Sequence, residues 1–292
     1  SCICTYDNYD ILRLTIESLL EQKTKVKIIV QDNTPPEKIN GRDDWLRRTS
    51  AKHEFIHFDQ RVADGLSGSR NICIDLCDTE YLHYLDDDVI CPEDFAYQLS
   101  SVLQGNPDVG IVGGKVAPDW RFAERPSWLH EDLFGYLSMI DFGDTQRDFD
   151  PNGEVCWLVG ANITFRLDLL KKYGGFDVSL GRKGGTSSLL GSEENELVWK
   201  IQKKHDVIYS PEPMIFHLVD PRRLSKEWFI KRATWQSVSD ILTNSHWISN
   251  LSASKLDEGI AMIQADPRTP EEFLKKTKSM QYVAYRLLMG EV

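Results

Sequence analysis

Apolar positions along this chain fall into two spacings. Short unbroken runs at Ser1–Thr5 (SCICT), Val26–Val30 (VKIIV) and Tyr81–Leu85 (YLHYL) read as strands. The second is of the kind buried on both faces. Between the first two, Ile11, Leu12, Ile16, Leu19 and Leu20 keep helical spacing, with Asp10 placed to cap that helix. Polar residues close both strands, the second at Gln31, Asp32 and Asn33 before Pro35–Pro36 stops it. Strand, helix, parallel strand is half of a nucleotide-binding α/β unit.

A helix over 45–50 and a short strand over 54–58 follow. Asp64–Asn71 (DGLSGSRN) reads as a tight loop opening a helix over 69–77. Beyond the Tyr81 strand come a helix over 93–103, a strand over 109–116 and a strand-like stretch over 154–165. A short helix over 168–173 is closed by Gly174–Gly175. The next helix starts at Ser192, and strands over 207–209 and 213–218 precede helices from Leu224 and across Ser252–Leu288. Three stretches lack either spacing: the aromatic-rich Trp120–Tyr136, the polar Asp141–Asn152 and the glycine-rich Phe176–Leu190. Irregular segments of that length are usually functional or mobile. The aromatics suit either stacking on sugar rings or a satellite core.

Composition narrows the class. With 292 residues, 41% hydrophobic and 27% charged, the chain reads as a globular protein of one large domain or two smaller ones. A net charge of −11 excludes nucleic-acid binding through a general basic surface, yet leaves room for an anion held by local cations and a metal. No run of about 18 apolar residues predicts a transmembrane segment, and no signal peptide is evident. Ser1 enters a strand almost at once, which implies a few native residues ahead of it. The cysteines, Cys2, Cys4, Cys73, Cys77, Cys91 and Cys156, form no paired CxxC set and read as unpaired hydrophobes of a reducing, cytoplasmic compartment. The amphipathic C-terminal segment fits ordinary helix packing or peripheral contact with a membrane.

The chemistry concentrates at Tyr81–Pro92 (YLHYLDDDVICP), where an apolar strand runs into Asp86, Asp87 and Asp88. Adjacent carboxylates there repel one another and lose hydration, which Mg²⁺ or Mn²⁺ would relieve. A polar turn closing the strand is the plainer reading. Arg70 offers a donor fork for a pyrophosphate, or is a surface cation. Glu193, Glu194 and Glu196 suit the first turn of a helix on dipole grounds alone. His217 ends a strand, where a structural role is as open as a ligand role. Arg182 and Lys183, in the glycine-rich loop, are either solvated or diphosphate-binding, and that loop would act as a lid.

In order along the chain, CICTYDNYDILRLTIESLLEQ, IIVQDN, GLSGSRN, YLHYLDDDVICP, VGGKV, GANITFR, YGGFDVSLGRKG, GSEENEL, His217 and RLSKEWFIKRATWQ resemble the family 2 glycosyltransferases over 1–239. The resemblance implies the GT-A nucleotide-diphospho-sugar transferase fold, a mixed, mostly parallel sheet flanked by helices with a helical C-terminal extension. It divides the chain into a catalytic domain over 1–221 (donor half 1–117, acceptor half 118–221) and an extension over 222–292. It implies an inverting, Mn²⁺- or Mg²⁺-dependent transfer from a nucleotide-sugar donor, UDP favoured, to a hydroxyl acceptor (glycan, lipid-linked sugar or glycoprotein). Such a transfer belongs to polysaccharide or glycoconjugate biosynthesis. By position, Thr5, Tyr6 and Asp32 would contact the nucleoside, and Arg70 the base or diphosphate. Asp86 would meet ribose or metal-bound phosphate, with Asp87 in the middle of the DxD. Asp88 and His217 would complete the metal site, and Glu194, or its neighbour Glu193, would be the base. A nucleotidyltransferase would carry a Gly-rich loop after the first strand, where TYDNYD stands. A non-catalytic sugar-binding module would tolerate loss of acids that are all present here.

Overall fold

β1 (Cys2–Thr5) forms at the predicted place, and α1 (Tyr9–Leu20) buries Leu12, Ile16 and Leu19 as its apolar stripe. The residues described in this computed structural model are 1–243 and 256–290. The cap position of α1 belongs to Asn8, and Asp10 lies inside the first turn. β2 (Ile28–Asp32) starts later than predicted and carries Gln31 and Asp32 inside the strand, both fully buried. α2 (Pro36–Ile39), α3 (Asp44–Lys52) and β3 (Ile56–Asp59) follow.

α4 (Gly65–Leu76) opens four residues before the predicted start, because Gly65 takes a φ of +71° and turns the chain directly into the helix. β4 (Tyr81–Leu85) matches its predicted bounds. After it come β5 (Val89–Ile90), which is too short to give a periodic signal, α5 (Phe95–Gly105) and β6 (Ile111–Asp119). β7 (Arg147–Asp148) falls in the polar stretch over 141–152 where no strand is predicted, and β8 (Asn162–Arg166) is shorter than the apolar run over 154–165 predicts. Val155, Leu158 and Val159 are buried without belonging to the sheet. α6 (Leu167–Lys172) ends at Gly174 and Gly175, both at positive φ. α7 (Glu193–Ile201) precedes β9 (Val207–Leu218), a single strand where two were predicted. α8 (Lys226–Leu242), α9 (Leu256–Gln264) and α10 (Pro270–Leu288) complete the chain, and the predicted helical start at Ser252 lies outside the described residues.

The strands build one sheet in the order β3-β2-β1-β4-β8-β6-β9-β5, with β7 on β9. The first four are mutually parallel, whereas β8 runs antiparallel to both β4 and β6. β2 and β3 lie on one side of β1 and β4 on the other, so the strand order reverses at β1. The crevice beyond the carboxyl ends of β1 and β4 is where such sheets bind ligands. Beyond β8, β9 runs parallel to β6 and carries His217 into the same neighbourhood.

The aromatic stretch resolves mainly into core. Trp128 meets Phe229 and Phe273 edge-on, at centroid separations of 5.5 and 4.9 Å, and ties α8 and α10 to the segment just before the 3₁₀ turn Glu131–Leu137. Ser237 Oγ donates to the Gln281 carbonyl at 2.6 Å, which locks α8 to α10. The cysteines depart from expectation: Cys2 and Cys73 are paired as a disulfide, with Cys4 Sγ 4.0 Å from Cys73 Sγ. They are 71 residues apart in sequence, and only the packing of α4 on β1 brings them together. Among the described residues no helix is long and apolar enough to cross a membrane.

Candidate active site

The three acids after β4 are held differently from one another. Asp87 is tied inward: Thr5 Oγ1 donates to its Oδ2 at 2.5 Å and Asn8 Nδ2 to its Oδ1 at 3.0 Å. Thr15 Oγ1 donates to the Asp87 carbonyl at 2.9 Å and accepts from the Val89 N–H at 3.1 Å. These bonds fix the turn and leave Asp86 and Asp88 facing the crevice. Burial, reinforced by the charge of Asp88, pushes Asp87 up to about 7.

β5 pairs with β9 so that Val89 opposes His217, and the Leu218 N–H donates to the Asp88 carbonyl at 2.8 Å. His217 Nε2 then lies 3.3 Å from Asp88 Oδ1 and 3.8 Å from Asp86 Oδ2. One ligand atom from each of Asp86, Asp88 and His217 falls within 4.8 Å of the others. Burial alone would lower the His217 pKa, but the charges of Asp88 and Asp86 outweigh it and raise it. Burial works against ionised Asp86 as well, and the His217 hydrogen bond with the charge of Arg70 lowers it overall. Two carboxylate oxygens and an imidazole nitrogen converging from separate elements are a donor set that fits a divalent first-row cation. Nδ1 of His217 is buried without a partner.

A buried guanidinium joins this cluster to α7. Arg70 stacks against Phe176 and Tyr84 at 5.4 and 5.8 Å from their centroids. Its Nη1 lies 2.7 Å from Glu193 Oε1 and 4.0 Å from Glu194 Oε2, and its Nη2 is 3.7 Å from Asp86 Oδ1. Arg70 therefore sits in mid-helix among three acids, not at a helix opening as the glycine pattern predicts. Glu193 is consumed by that pairing. Glu194 keeps only a 3.3 Å hydrogen bond from the Gly160 N–H, and burial followed by the charge of Glu193 raises it to about 7. Ser192, the residue before α7, adopts positive φ and accepts from Gln236 Nε2 at 3.0 Å instead of capping the helix.

Around these groups lies a cavity of about 790 Å³, lined among others by Tyr6, Arg70, Asp86, Asp88, Glu194 and Arg223. Thr5 and Asp87 also border it, although each is committed to the other. Asp32 does not: at the end of β2 it accepts from Tyr9 Oη at 2.6 Å, the Thr34 N–H at 2.9 Å and Gln60 Nε2 at 3.1 Å. Its neighbour Asn33 reaches the wall instead. The glycine-rich loop lies across the cavity edge, where the Arg182 carbonyl accepts from the Leu66 N–H at 2.8 Å. Lys183 Nζ pairs with Asp64 at 2.8 Å. Burial and the nearby charges of Arg223 and Arg232 pull Arg182 down to about 10.

A second cavity of about 240 Å³ lies on the far side of Glu194, and Ser138, Ser192, Glu194 and Arg232 line both. Asn8, Thr15, Arg223 and Arg232 escaped the sequence reading. Arg223, whose Nη2 is 4.0 Å from Asp88 Oδ2, follows β9 by five residues, and its place just past a site-bearing strand was the available signal. Asn8 and Thr15 carry none, since their partners lie 79 and 72 residues away, and Arg232 carries none because no ion pair marks it among the described residues.

A protein-family model described as "Glycosyl transferase family 2" matches residues 2–174. The chain belongs to that family. This glycosyltransferase is 28% identical over 244 residues, 81% of its own length and 74% of the relative's, to the glucosyl-dolichyl phosphate glucuronosyltransferase of Haloferax volcanii. The mannosyltransferase PcManGT of Pyrobaculum calidifontis, solved with GDP-Man and Mn²⁺, superposes with a TM-score of 0.57 at 16% identity, covering 99% of this chain and 72% of that one. TarS of S. aureus in complex with UDP-GlcNAc gives 0.56 at 12% identity, over 99% and 91%. The fold of the glycosyltransferase is thus the GT-A fold.

Proposed function

We propose that this glycosyltransferase is an inverting, metal-dependent enzyme that moves a hexose from a nucleoside diphosphate onto a hydroxyl acceptor. The observation that carries the reading is the position of Arg70, a single buried guanidinium 3.7 Å from Asp86 and 4.0 Å from Glu194. A cation-type cluster and a carboxylate of raised pKa therefore face one cavity from opposite sides of it. Asp86, Asp88 and His217 would hold Mn²⁺ more readily than Mg²⁺, because an imidazole nitrogen is foreign to the all-oxygen shell that Mg²⁺ prefers. Bound there, the cation supplies Lewis-acid neutralisation of the charge growing on the leaving diphosphate.

The protein's own groups do the rest. Tyr6 and the strand ends around Thr5 and Asn33 receive the nucleoside, with UDP favoured. Arg223 and Arg182 add fixed positive charge where the diphosphate departs. Glu194 takes the proton of the acceptor hydroxyl as its oxygen bonds to the anomeric carbon. The bond from that carbon to the diphosphate oxygen breaks, and its electron pair leaves with the nucleoside diphosphate. One attack from the face opposite the leaving group inverts the centre, by the logic of single-displacement glycoside chemistry. Glu193 holds Arg70 and does not act as base. We place the catalytic domain at 1–221 and the extension at 222–292; α10 of that extension brings Lys278 and Gln281 to the second cavity.

The H. volcanii relative is named for moving a glucuronosyl group onto a lipid-linked sugar phosphate. That name favours a lipid-linked acceptor and a glycoconjugate product here. Nucleoside diphosphate release should be screened with UDP- and GDP-sugars plus Mn²⁺ on the wild type, Asp88→Ala and Glu194→Gln. Release by the wild type alone supports the assignment, and undiminished release by both variants overturns it.

A further inference from the structure

Arg232 of α8 is a cation at the site that this chemistry leaves unused. Its Nε and Nη1 are shielded from solvent and have no hydrogen-bond partner. No ion pair reaches it among the described residues, and its guanidinium lies 6.0 Å from the Tyr136 ring centroid. Of the charged groups facing it, Glu194 is the base assigned above, and the rest are engaged. Asp240 accepts from Gln236 Nε2 and Gln281 Nε2, both at 2.8 Å, Glu193 pairs with Arg70, and Asp132 pairs with Lys278 at 3.5 Å. Arg182 adds like charge from the donor side. Two shielded, unpaired nitrogens of a partly buried guanidinium are costly unless a ligand completes them.

Its location says which ligand. Arg232 lines both cavities at Glu194, where donor sugar and acceptor must meet. The second cavity has a sugar-sized volume of about 240 Å³ and walls that include Tyr136, Trp157 and Trp199, apolar faces suited to a pyranose ring. We propose that Arg232 is a specificity residue that binds an oxyanionic substituent, a carboxylate or a phosphate, carried by one of the two reacting sugars. Arg supplies the planar fork of donors that such groups require. The proposal rests on the placement of Glu194 given above. It adds that neutral sugars are rejected, because they would leave Arg232 unpaired.

The test compares matched substrates. In the donor arm, UDP-glucuronate is set against UDP-glucose with one acceptor. In the acceptor arm, an alkyl glucosyl phosphate is set against the alkyl glucoside with one donor. In one arm the wild type should favour the anionic substrate by about 100-fold in kcat/KM, and Arg232→Gln should reduce that ratio at least tenfold. Arg232→Lys should recover part of it. The arm that responds identifies the source of the anion. A ratio near one in both arms, or a ratio unchanged in Arg232→Gln, overturns the proposal. Saturation-transfer NMR with methyl glucuronide, glucose 1-phosphate and methyl glucoside separates this from the assignment of activity. Selective binding of an anionic ligand that Arg232→Gln abolishes supports the subsite even if no donor turns over. Equal binding of all three ligands sinks it.

Discussion

Arg70 Nη1 lies 2.7 Å from Glu193 Oε1, and both side chains are only 4% exposed. Two adjacent acids of α7 therefore divide one guanidinium unequally, which gives them different chemistry. Glu193 is paired with Arg70 in place, and Glu194 feels its charge from the side. Replacing Glu193 by Gln removes that charge and should shift the acid limb of the pH–rate profile downward, toward the ordinary carboxylate range. It also leaves Arg70 less compensated, so urea unfolding should show a loss of roughly 1–3 kcal/mol. An unmoved acid limb would mean that Glu193 does not set the pKa of its neighbour.

Glu194, held at about 7 from an ordinary 4.5, must lose its proton to act as a base. Transfer should accordingly rise with pH and level off above about pH 7. Glu194→Gln should lower kcat by about 10²–10⁴-fold with donor affinity nearly unchanged. The same shift has a stability sign. Between pH 4.5 and 7 the folded state holds a proton that the unfolded state has released, so this group makes stability fall as pH rises. At pH 8 Glu194→Gln should therefore be more stable than the wild type, by on the order of 1–3 kcal/mol. Equal midpoints of thermal unfolding at pH 8 would contradict this.

The cluster of Asp86, Asp88 and His217 should bind a divalent cation in competition with protons, since the acids raise the affinity of His217 for H⁺. Mn²⁺ should raise the melting temperature at pH 8 more than at pH 6, and more still with UDP present. EDTA should abolish transfer, and Mn²⁺ should restore it better than Mg²⁺. His217→Ala should fold, yet lose the Mn²⁺-dependent shift. A full shift in that variant would remove His217 from the site.

The parts of this site that could be read in advance are those whose signal is local. An apolar strand running into Asp86–Asp88 is visible because the conflict of charge and burial lies within a few residues. His217 is visible because it ends a strand. The roles of Arg70 and Glu193 depend on a contact spanning 123 residues, and the Cys2–Cys73 pairing on one spanning 71. No spacing rule reaches that far. The resemblance alone points Asp32 at the nucleoside; in the fold it closes β2, and its oxygens accept from Tyr9, Thr34 and Gln60. Helix α4 was misplaced because its glycines read as a loop, whereas Gly65 is the one backbone turn that lets the helix begin.

That turn makes Gly65 a place to loosen the loop over the cavity without touching a reacting group. At φ +71°, a side chain on Gly65 would be strained in the left-handed region, and its Cβ would sit 2.8 Å from the Arg182 carbonyl oxygen. That oxygen already accepts from the Leu66 N–H at 2.8 Å, so it has no room to retreat without breaking the bond. Gly65→Ala should cost about 1–2 kcal/mol and detach the segment around Arg182 and Lys183 from α4. Trypsin should then cut after those two residues faster than in the wild type, and KM for the donor should rise more than kcat falls. Gly105→Ala is the control: nothing lies within 4 Å of the added carbon, and Gly105 closes α5. It should be neutral, or stabilising by up to about 1 kcal/mol, and should leave tryptic cutting unchanged. If both variants are cut at the wild-type rate, the loop is held by contacts other than the Arg182–Leu66 bond.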